Sequence, residues 1–213
     1  MQLSHRALPT GRKAFTMTEM VVVIAIITIL MTAGIRVLGG TSSQSRKSAT
    51  DTVTGLIEQA RTTAITSRSI IVMAIAEPGD LPASDKRCRV GLFRVPAWPT
   101  DPTTVEAVLI RRWQTLPTGV VLFPGEVDGI RNPLDEDQIT LRYRAGNKNI
   151  EVVAHAIAFG TRGGLHFPTG SDPVALRVIE GAYRNGAPSP NSKPIAENRL
   201  KIGRVVARPY RTN

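Results

Sequence analysis

The strongest pattern in the chain is an uncharged apolar segment near its N-terminus. No charged side chain occurs between Glu19 and Arg36. The stretch from Phe15 to Ile35 has about 21 residues, enough for a helix to cross a hydrocarbon core of roughly 30 Å. Its many valines and isoleucines are weak helix formers in water, but in lipid the backbone must satisfy its own hydrogen bonds, which favours a helix. The pattern therefore predicts a membrane-spanning helix over residues 15–36.

A second helical pattern follows the glycine pair at 39–40, from about Ser45 to Arg68. Its apolar side chains recur at helical spacing, at Val53, Ile57, Ala60 and Ala64. We expect residues 37–69 to form a linker and an amphipathic helix that continues the first helix as one interrupted stem. The apolar stripe of this helix should pack on the rest of the protein.

Beyond Ser69 the chain changes to short apolar runs separated by Pro, Gly, Asn and Asp, which is typical of strands and turns. The predicted strands are 70–76, 88–95, 105–113, 119–123, 138–143, 150–159, 174–180 and 199–207. The predicted fold class is α+β: a long hydrophobic N-terminal helix continues into an amphipathic helix packed on an antiparallel β-sheet or sandwich. The β-rich head would span residues 70–213.

The first fourteen residues, 1–14, carry cations and no acidic side chain. Basic residues beside a membrane segment stay on the cytoplasmic side, so we expect a single-pass protein with its head outside the cytoplasm. Glu19 stands at the edge of the charge-free run, where a carboxylate is costly unless it is paired. The nearest compensating group in the sequence would be an α-amine freed by cutting before Phe15.

Residues 11–14, Gly-Arg-Lys-Ala, precede Phe15-Thr16-Met17-Thr18-Glu19. This arrangement resembles the class III signal of type IV prepilins and type II secretion pseudopilins, with Ala14 at a position that is usually glycine. The resemblance implies cleavage between Ala14 and Phe15 by a prepilin peptidase and N-methylation of Phe15. It also implies that Glu19 pairs with the N-terminal ammonium of a neighbouring subunit. The partners would be other pilin-like subunits and inner-membrane lipid, and the head would be periplasmic before assembly into a pilus or pseudopilus.

Three other interpretations of the N-terminus are open. An ordinary secretory signal would be cut after the apolar core, near residues 32–34. A twin-arginine signal would need a second arginine beside Arg12, where the chain has Lys13. Neither signal explains an acidic residue immediately before the apolar run. The third interpretation is an uncleaved membrane anchor.

Four short elements of the head occur in an order that resembles the H-type minor pseudopilin and FimT-like minor pilin family. They are the helix end at 56–64, the Trp-x-x-Leu-Pro-x-Gly-Val element at 113–120, the segment at 157–164 and a terminal strand at 203–206. The resemblance implies a minor subunit of a type II secretion or type IV pilus system. The Ala14 junction and the long head insertions also suit the pilin-like Verru_Chthon cassette protein D group, so the subfamily stays open.

The chain is strongly basic, with 27 Lys and Arg against 17 Asp and Glu, a formal net charge of +10. Removal of the leader with its three Lys and Arg residues would lower this charge to +7. Arg204, Arg208 and Arg211 in the C-terminal segment are the candidate DNA contacts, because cations neutralise phosphates. Some FimT-type minor pilins bind DNA during uptake, so a DNA-binding minor pilin is the alternative function. We favour a solvated strand edge protected by cations, because no aromatic platform accompanies the charge.

No pattern in the sequence indicates catalysis. His155 and His166 lack the spaced partners of a zinc site, and no G-x-S-x-G pattern occurs. The acidic run at 135–137 fits a solvated loop better than a calcium site. Cys88 is the only cysteine, so no intramolecular disulfide can form, and we expect a buried thiol. The sequence thus predicts a structural subunit, not an enzyme, with no cofactor, metal or small-molecule substrate.

Overall fold

The computed structural model describes residues 16–38, 41–80, 87–136, 138–191 and 195–212. The chain divides into two compact units, Met1–Thr41 and Ser42–Asn213. Helix α1, Met17–Leu38, is the described element of the first unit, and helix α2, Thr41–Ser67, leads into the second. The leader, the predicted cleavage junction at 14–15 and the glycine joint at 39–40 lie outside the described residues.

In the described part of the second unit, α2 is followed by twelve strands and a single 3-10 turn at Pro133–Asp135. The strands are β1 Ile70–Ala76, β2 Arg89–Val95, β3 Thr104–Glu106, β4 Val108–Thr115, β5 Val120–Phe123, β6 Ile139–Ala145, β7 Lys148–Phe159, β8 Leu165–Phe167, β9 Val174–Arg184, β10 Ala187–Pro190, β11 Glu197–Ile202 and β12 Pro209–Thr212. The predicted α+β class is confirmed.

The first sheet has the order β3-β6-β7-β1-β2-β4, with β8 beside β7. Its pairs are antiparallel except the short β3–β6 pair, which is parallel. Only Ala107 separates β3 from β4, so one bent strand supplies both edges and the sheet curls round on itself. At the bend, the Ala107 amide donates to the Arg142 carbonyl over 2.8 Å. A cluster of buried side chains that includes Phe93, Leu141 and Val152 fills the interior of the curl.

The second sheet has the order β10-β9-β11-β12, with β5 beside β9. One contiguous apolar cluster joins α2 to residues of both sheets. The stripe predicted for this helix, Val53, Ile57, Ala60 and Ala64, is fully buried in that cluster, so this prediction is confirmed. Polar contacts flank it: the Asn198 side-chain amide donates to the Thr50 hydroxyl over 2.9 Å, and Arg46 pairs with Glu180 at 3.1 Å.

Several predicted strand limits differ from the structure. The strand predicted over 199–207 was wrong beyond Ile202, because residues 204–206 form a turn whose Arg204 carbonyl accepts a hydrogen bond from the Leu165 amide at 2.8 Å. Ala207 then takes a left-handed conformation, φ 47°. The terminal strand expected at 203–206 is therefore this turn. Strands β8, β10 and β12 were not predicted, because they are only three or four residues long and the last two contain proline, which is typical of turns.

Replacing Ile57 with alanine should strongly destabilise the second unit, whereas Thr62→Ala on the exposed face of α2 should not. Ile57 is fully buried, and removal of a buried isoleucine side chain to alanine costs about 2–5 kcal/mol. Thermal unfolding of the detergent-solubilised chain, followed by near-ultraviolet circular dichroism, measures the difference. Equal midpoints for the two variants would contradict the packing of α2 described above.

Candidate functional site

Thr16 and Glu19 close the first turn of α1 with reciprocal hydrogen bonds. The Glu19 amide donates to the Thr16 hydroxyl oxygen at 3.2 Å, and the Thr16 amide donates to Glu19 Oε2 at 3.1 Å. The Thr16 hydroxyl also reaches Oε2 at 3.1 Å, and the Met20 amide donates to the Thr16 carbonyl at 3.2 Å. This is a capping box, in which two otherwise unpaired donors at a helix start are satisfied. Thr16 is thus the cap that sets where α1 begins.

The capping role of Glu19 was not predicted. The spacing Thr16-Met17-Thr18-Glu19 carries its signal, since Ser or Thr followed three residues later by Glu is typical of a helix start. A carboxylate in the first turn also interacts favourably with the helix dipole, by about 0.3–1 kcal/mol at exposed sites. Glu19 therefore has a local role, independent of any second subunit, that stabilises its position.

The described apolar side chains of α1 are exposed. Met17 is 88% exposed and Ile29 67% exposed, and the large aliphatic residues between them are similar: Met20, Val21, Val22, Val23, Ile24, Ile26 and Ile27. Exposed apolar surface of this extent indicates contact with lipid or another protein. Among the residues that the structure describes, no helix has both the length and the hydropathy that a bilayer crossing requires. The membrane span over 15–36 stays a prediction, as do the roles of Ala14 and Phe15.

The three candidate DNA contacts differ in their surroundings. Arg204 donates from Nε to the Asp172 carbonyl at 2.8 Å and from Nη1 to the Pro168 carbonyl at 2.5 Å. Burial, together with the nearby Arg131 guanidinium, lowers the pKa of Arg204. Arg211 forms an ion pair with Asp51 of α2. Two of the three side chains thus hold parts of the second unit together.

Arg208 is the third candidate. It is exposed, and within the described ranges no carboxylate lies within ion-pair distance of it. DNA binding by this segment stays a prediction.

Cations of β11 and β9 are also paired within the chain. Glu197 binds Arg177 and Arg199, each at 2.7 Å, and Asp128 binds Arg199 at 3.1 Å and Lys201 at 2.9 Å. Partial burial alone would raise the pKa of Glu197, but hydrogen bonds from Arg199 and Arg177 outweigh burial and lower it. The hydrogen bond and charge of Lys201 lower the pKa of Asp128. Much of the charge in these strands is therefore neutralised locally.

Three other residues that we considered for metal binding or catalysis are buried or hydrogen-bonded within the fold. His155 is nearly buried, its Nε2 lies 3.1 Å from the Gln138 amide nitrogen, and burial lowers its pKa. Cys88 is fully buried, and this burial raises the pKa of its thiol to about 12. Asp135 accepts a hydrogen bond from the Gly125 amide at 2.9 Å, while Asp137 lies outside the described residues. Within the described ranges, no three His, Cys, Asp or Glu side chains are arranged to hold a metal ion.

Comparison with known proteins bears on the N-terminal segment. Residues 10–35 match the family described as the prokaryotic N-terminal methylation motif. The matched segment includes the junction of Ala14 and Phe15, the capping box and most of α1. No curated protein and no solved structure matches the chain. The methylation motif supports a type IV pilin-like precursor that is processed by a prepilin peptidase.

Variants of Glu19 should separate its capping role from its charge. In Glu19→Ala the Thr16 amide loses its acceptor, so its hydrogen exchange should accelerate about fivefold, which corresponds to a cap of roughly 1 kcal/mol. In Glu19→Gln an amide oxygen remains as acceptor, and exchange should stay close to that of the unchanged chain. Nuclear magnetic resonance of the protein in detergent micelles measures these rates. The same exchange rate in Glu19→Ala as in the unchanged chain would rule out the capping box.

Proposed function

We propose that this chain is the precursor of a pilin-like structural subunit. A prepilin peptidase cuts between Ala14 and Phe15 and methylates Phe15, and α1 then anchors the protein in the inner membrane before assembly into a pilus or pseudopilus. The proposal rests on three features that occur together in the N-terminal segment. The methylation motif over residues 10–35 coincides with a helix start that Thr16 and Glu19 cap and with exposed apolar side chains directly after it.

Electrostatics explains why this subunit would need Glu19. Cleavage would create a positively charged α-amine at Phe15, and an unpaired ammonium among apolar helices costs several kcal/mol. Glu19 is the only acidic residue of α1. A carboxylate has about four acceptor positions, so Glu19 can keep its bonds to Thr16 and still accept from the ammonium of a neighbouring subunit. Glu19 would thereby cap the start of its own helix and also fix the position of the neighbouring subunit relative to that helix.

Within this class we favour a minor subunit of the H-type or FimT-like kind. The Trp-x-x-Leu-Pro-x-Gly-Val element connects β4 of the first sheet to β5 of the second. Leu116 is fully buried, and its amide donates to the Cys88 carbonyl at 3.0 Å. Gly119 takes a left-handed conformation, φ 81°, and its carbonyl accepts from the Gly181 amide at 3.0 Å. The element thus forms the connection between the two sheets, and this role supports the resemblance at 113–120. The Verru_Chthon cassette protein D group is the alternative assignment.

The DNA-binding alternative has weaker support. Arg204 and Arg211 hold other parts of the second unit, so binding phosphates would compete with contacts that they already make.

Pilus and secretion assemblies need no catalytic chemistry from such a subunit, and we propose no enzymatic activity for this chain.

Co-expression with a prepilin peptidase should remove residues 1–14 from the chain. Ala14→Gly should be cut at least as readily, because glycine is the usual residue at this position of the signal, and Ala14→Leu should not be cut. The ratio of precursor to mature protein on a gel, with and without the peptidase, measures processing. Equal processing of Ala14→Leu and the unchanged chain would place the cleavage elsewhere and contradict the proposal.

Glu19→Gln should be cleaved and inserted normally but should fail to enter assemblies. Its amide keeps the cap on α1, whereas the charge that would pair with the ammonium is gone. The fraction of the chain recovered in sheared or sedimented assemblies, relative to the membrane fraction, is the measurement. Glu19→Asp, which keeps the charge on a shorter side chain, is the matched control and should assemble at least in part. Assembly of Glu19→Gln at the unchanged level would refute the charge pair.

A further inference from the structure

An apolar groove lies between the C-terminal half of α2 and strand β4. It has a volume of about 240 Å³. Thr63 and Ser67 line it from α2, Arg94 lines it from β2, and Val108 and Ile110 line it from β4. Val108 is 47% exposed and Ile110 is 41% exposed, although both are β-branched residues within a strand. We call these five residues, together with Leu109, which also lines it, the α2–β4 groove.

Strand β4 is also an edge of the first sheet. It pairs with β2, and in the part of the chain that the structure describes no backbone hydrogen bond joins residues 108–115 to a strand on the other side. An edge strand that exposes aliphatic side chains is a template for another extended segment. The geometry therefore favours an extended occupant that lies along β4 and covers Val108 and Ile110.

The rim of the groove is cationic. Arg94 lines it, and Arg68 directly follows Ser67, which lines it from the end of α2. Both side chains are exposed, and no carboxylate among the described residues lies within ion-pair distance of them. Arg111 differs, because it donates to the Gln59 side chain of α2 at 2.8 Å. This surface thus contrasts with β11 and β9, where acids of the same chain neutralise Arg199 and Arg177.

We propose that the α2–β4 groove binds an extended segment of another protein subunit that carries carboxylates beside aliphatic side chains. The aliphatic groups would cover Val108 and Ile110, and the carboxylates would pair with Arg94 and Arg68. That this protein is another member of the same pilin-like assembly rests on the proposed function. A second copy of this chain does not fit, because a symmetric contact through the groove would bring each arginine towards its own copy.

Cysteine accessibility tests the proposal in the full-length protein. The native Cys88 is fully buried with a raised pKa, so a membrane-impermeant maleimide should leave it unmodified. Ile110→Cys reports on the groove, and Val153→Cys on β7 is the matched control, since Val153 is 43% exposed. In the purified chain in detergent the two cysteines should react at similar rates. In assemblies recovered from cells, the rate at Ile110→Cys relative to Val153→Cys should fall at least tenfold, and Thr63→Cys should be protected likewise.

Charge reversal tests the chemistry of the occupant. Arg94→Glu together with Arg68→Glu, in the Ile110→Cys chain, should restore the labelling rate, whereas Arg144→Glu, at an exposed arginine on β6, should not. Protection that survives the double reversal would overturn an acid-bearing occupant. Protection of the purified chain by itself at high concentration would identify a second copy, and labelling restored by nuclease would identify nucleic acid. Either result would overturn the proposal.

Processing after Ala14 and labelling at Ile110→Cys are measured separately, so failure of the groove proposal and failure of the proposed function give different results. If the chain is processed and enters assemblies while Ile110→Cys reacts as fast as in the purified chain, the groove proposal alone is wrong. If the chain is neither cut after Ala14 nor found in assemblies, the proposed function fails and the partner cannot be a pilin-like subunit.

Discussion

The second unit depends on the burial of one apolar stripe of α2. The first sheet fills its own curl with side chains, so its outer face needs separate cover, and domains of this class obtain such cover by layering. Ile57 and its neighbours on α2 supply part of this cover and also contact the second sheet. Ala60 and Ala64 are fully buried, and their small side chains let the helix approach the strands closely. Loss of this helix would expose both sheets at once.

Helix α1 contrasts with α2, because its described apolar side chains are exposed. In the proposed function, lipid covers them first and neighbouring helices cover them later. This change of surroundings explains why charges are so sparse in α1 and why the one acid, Glu19, lies in the first turn, where Thr16 fixes it. The Glu19 carboxylate then accepts the hydrogen bond of the Thr16 amide both in lipid and among neighbouring helices. Only its additional partner differs between these two surroundings.

Local patterns of the sequence predicted much of the fold. The helical spacing of Val53 and Ile57 and the apolar run of β1 needed no tertiary information. Features that depend on distant residues were not predictable in this way. Asp128 and Lys201 are far apart in sequence but pair at 2.9 Å, and Arg204 lies in a turn because its contacts with Asp172 and Leu165 override the strand propensity around it. The capping box of Glu19 is local, and its Thr-x-x-Glu spacing could have been recognised.

The mass of the intact mature protein, extracted from its native membrane, distinguishes a processed pilin-like subunit from an exported protein. We expect a chain that begins at Phe15 and carries one additional methyl group at its N-terminus. A chain that begins near residues 32–34 would indicate an ordinary secretory signal, because most of α1 would then be lost. That result would contradict the pilin-like assignment, since neither the methylated amine nor Glu19 would be present to direct assembly.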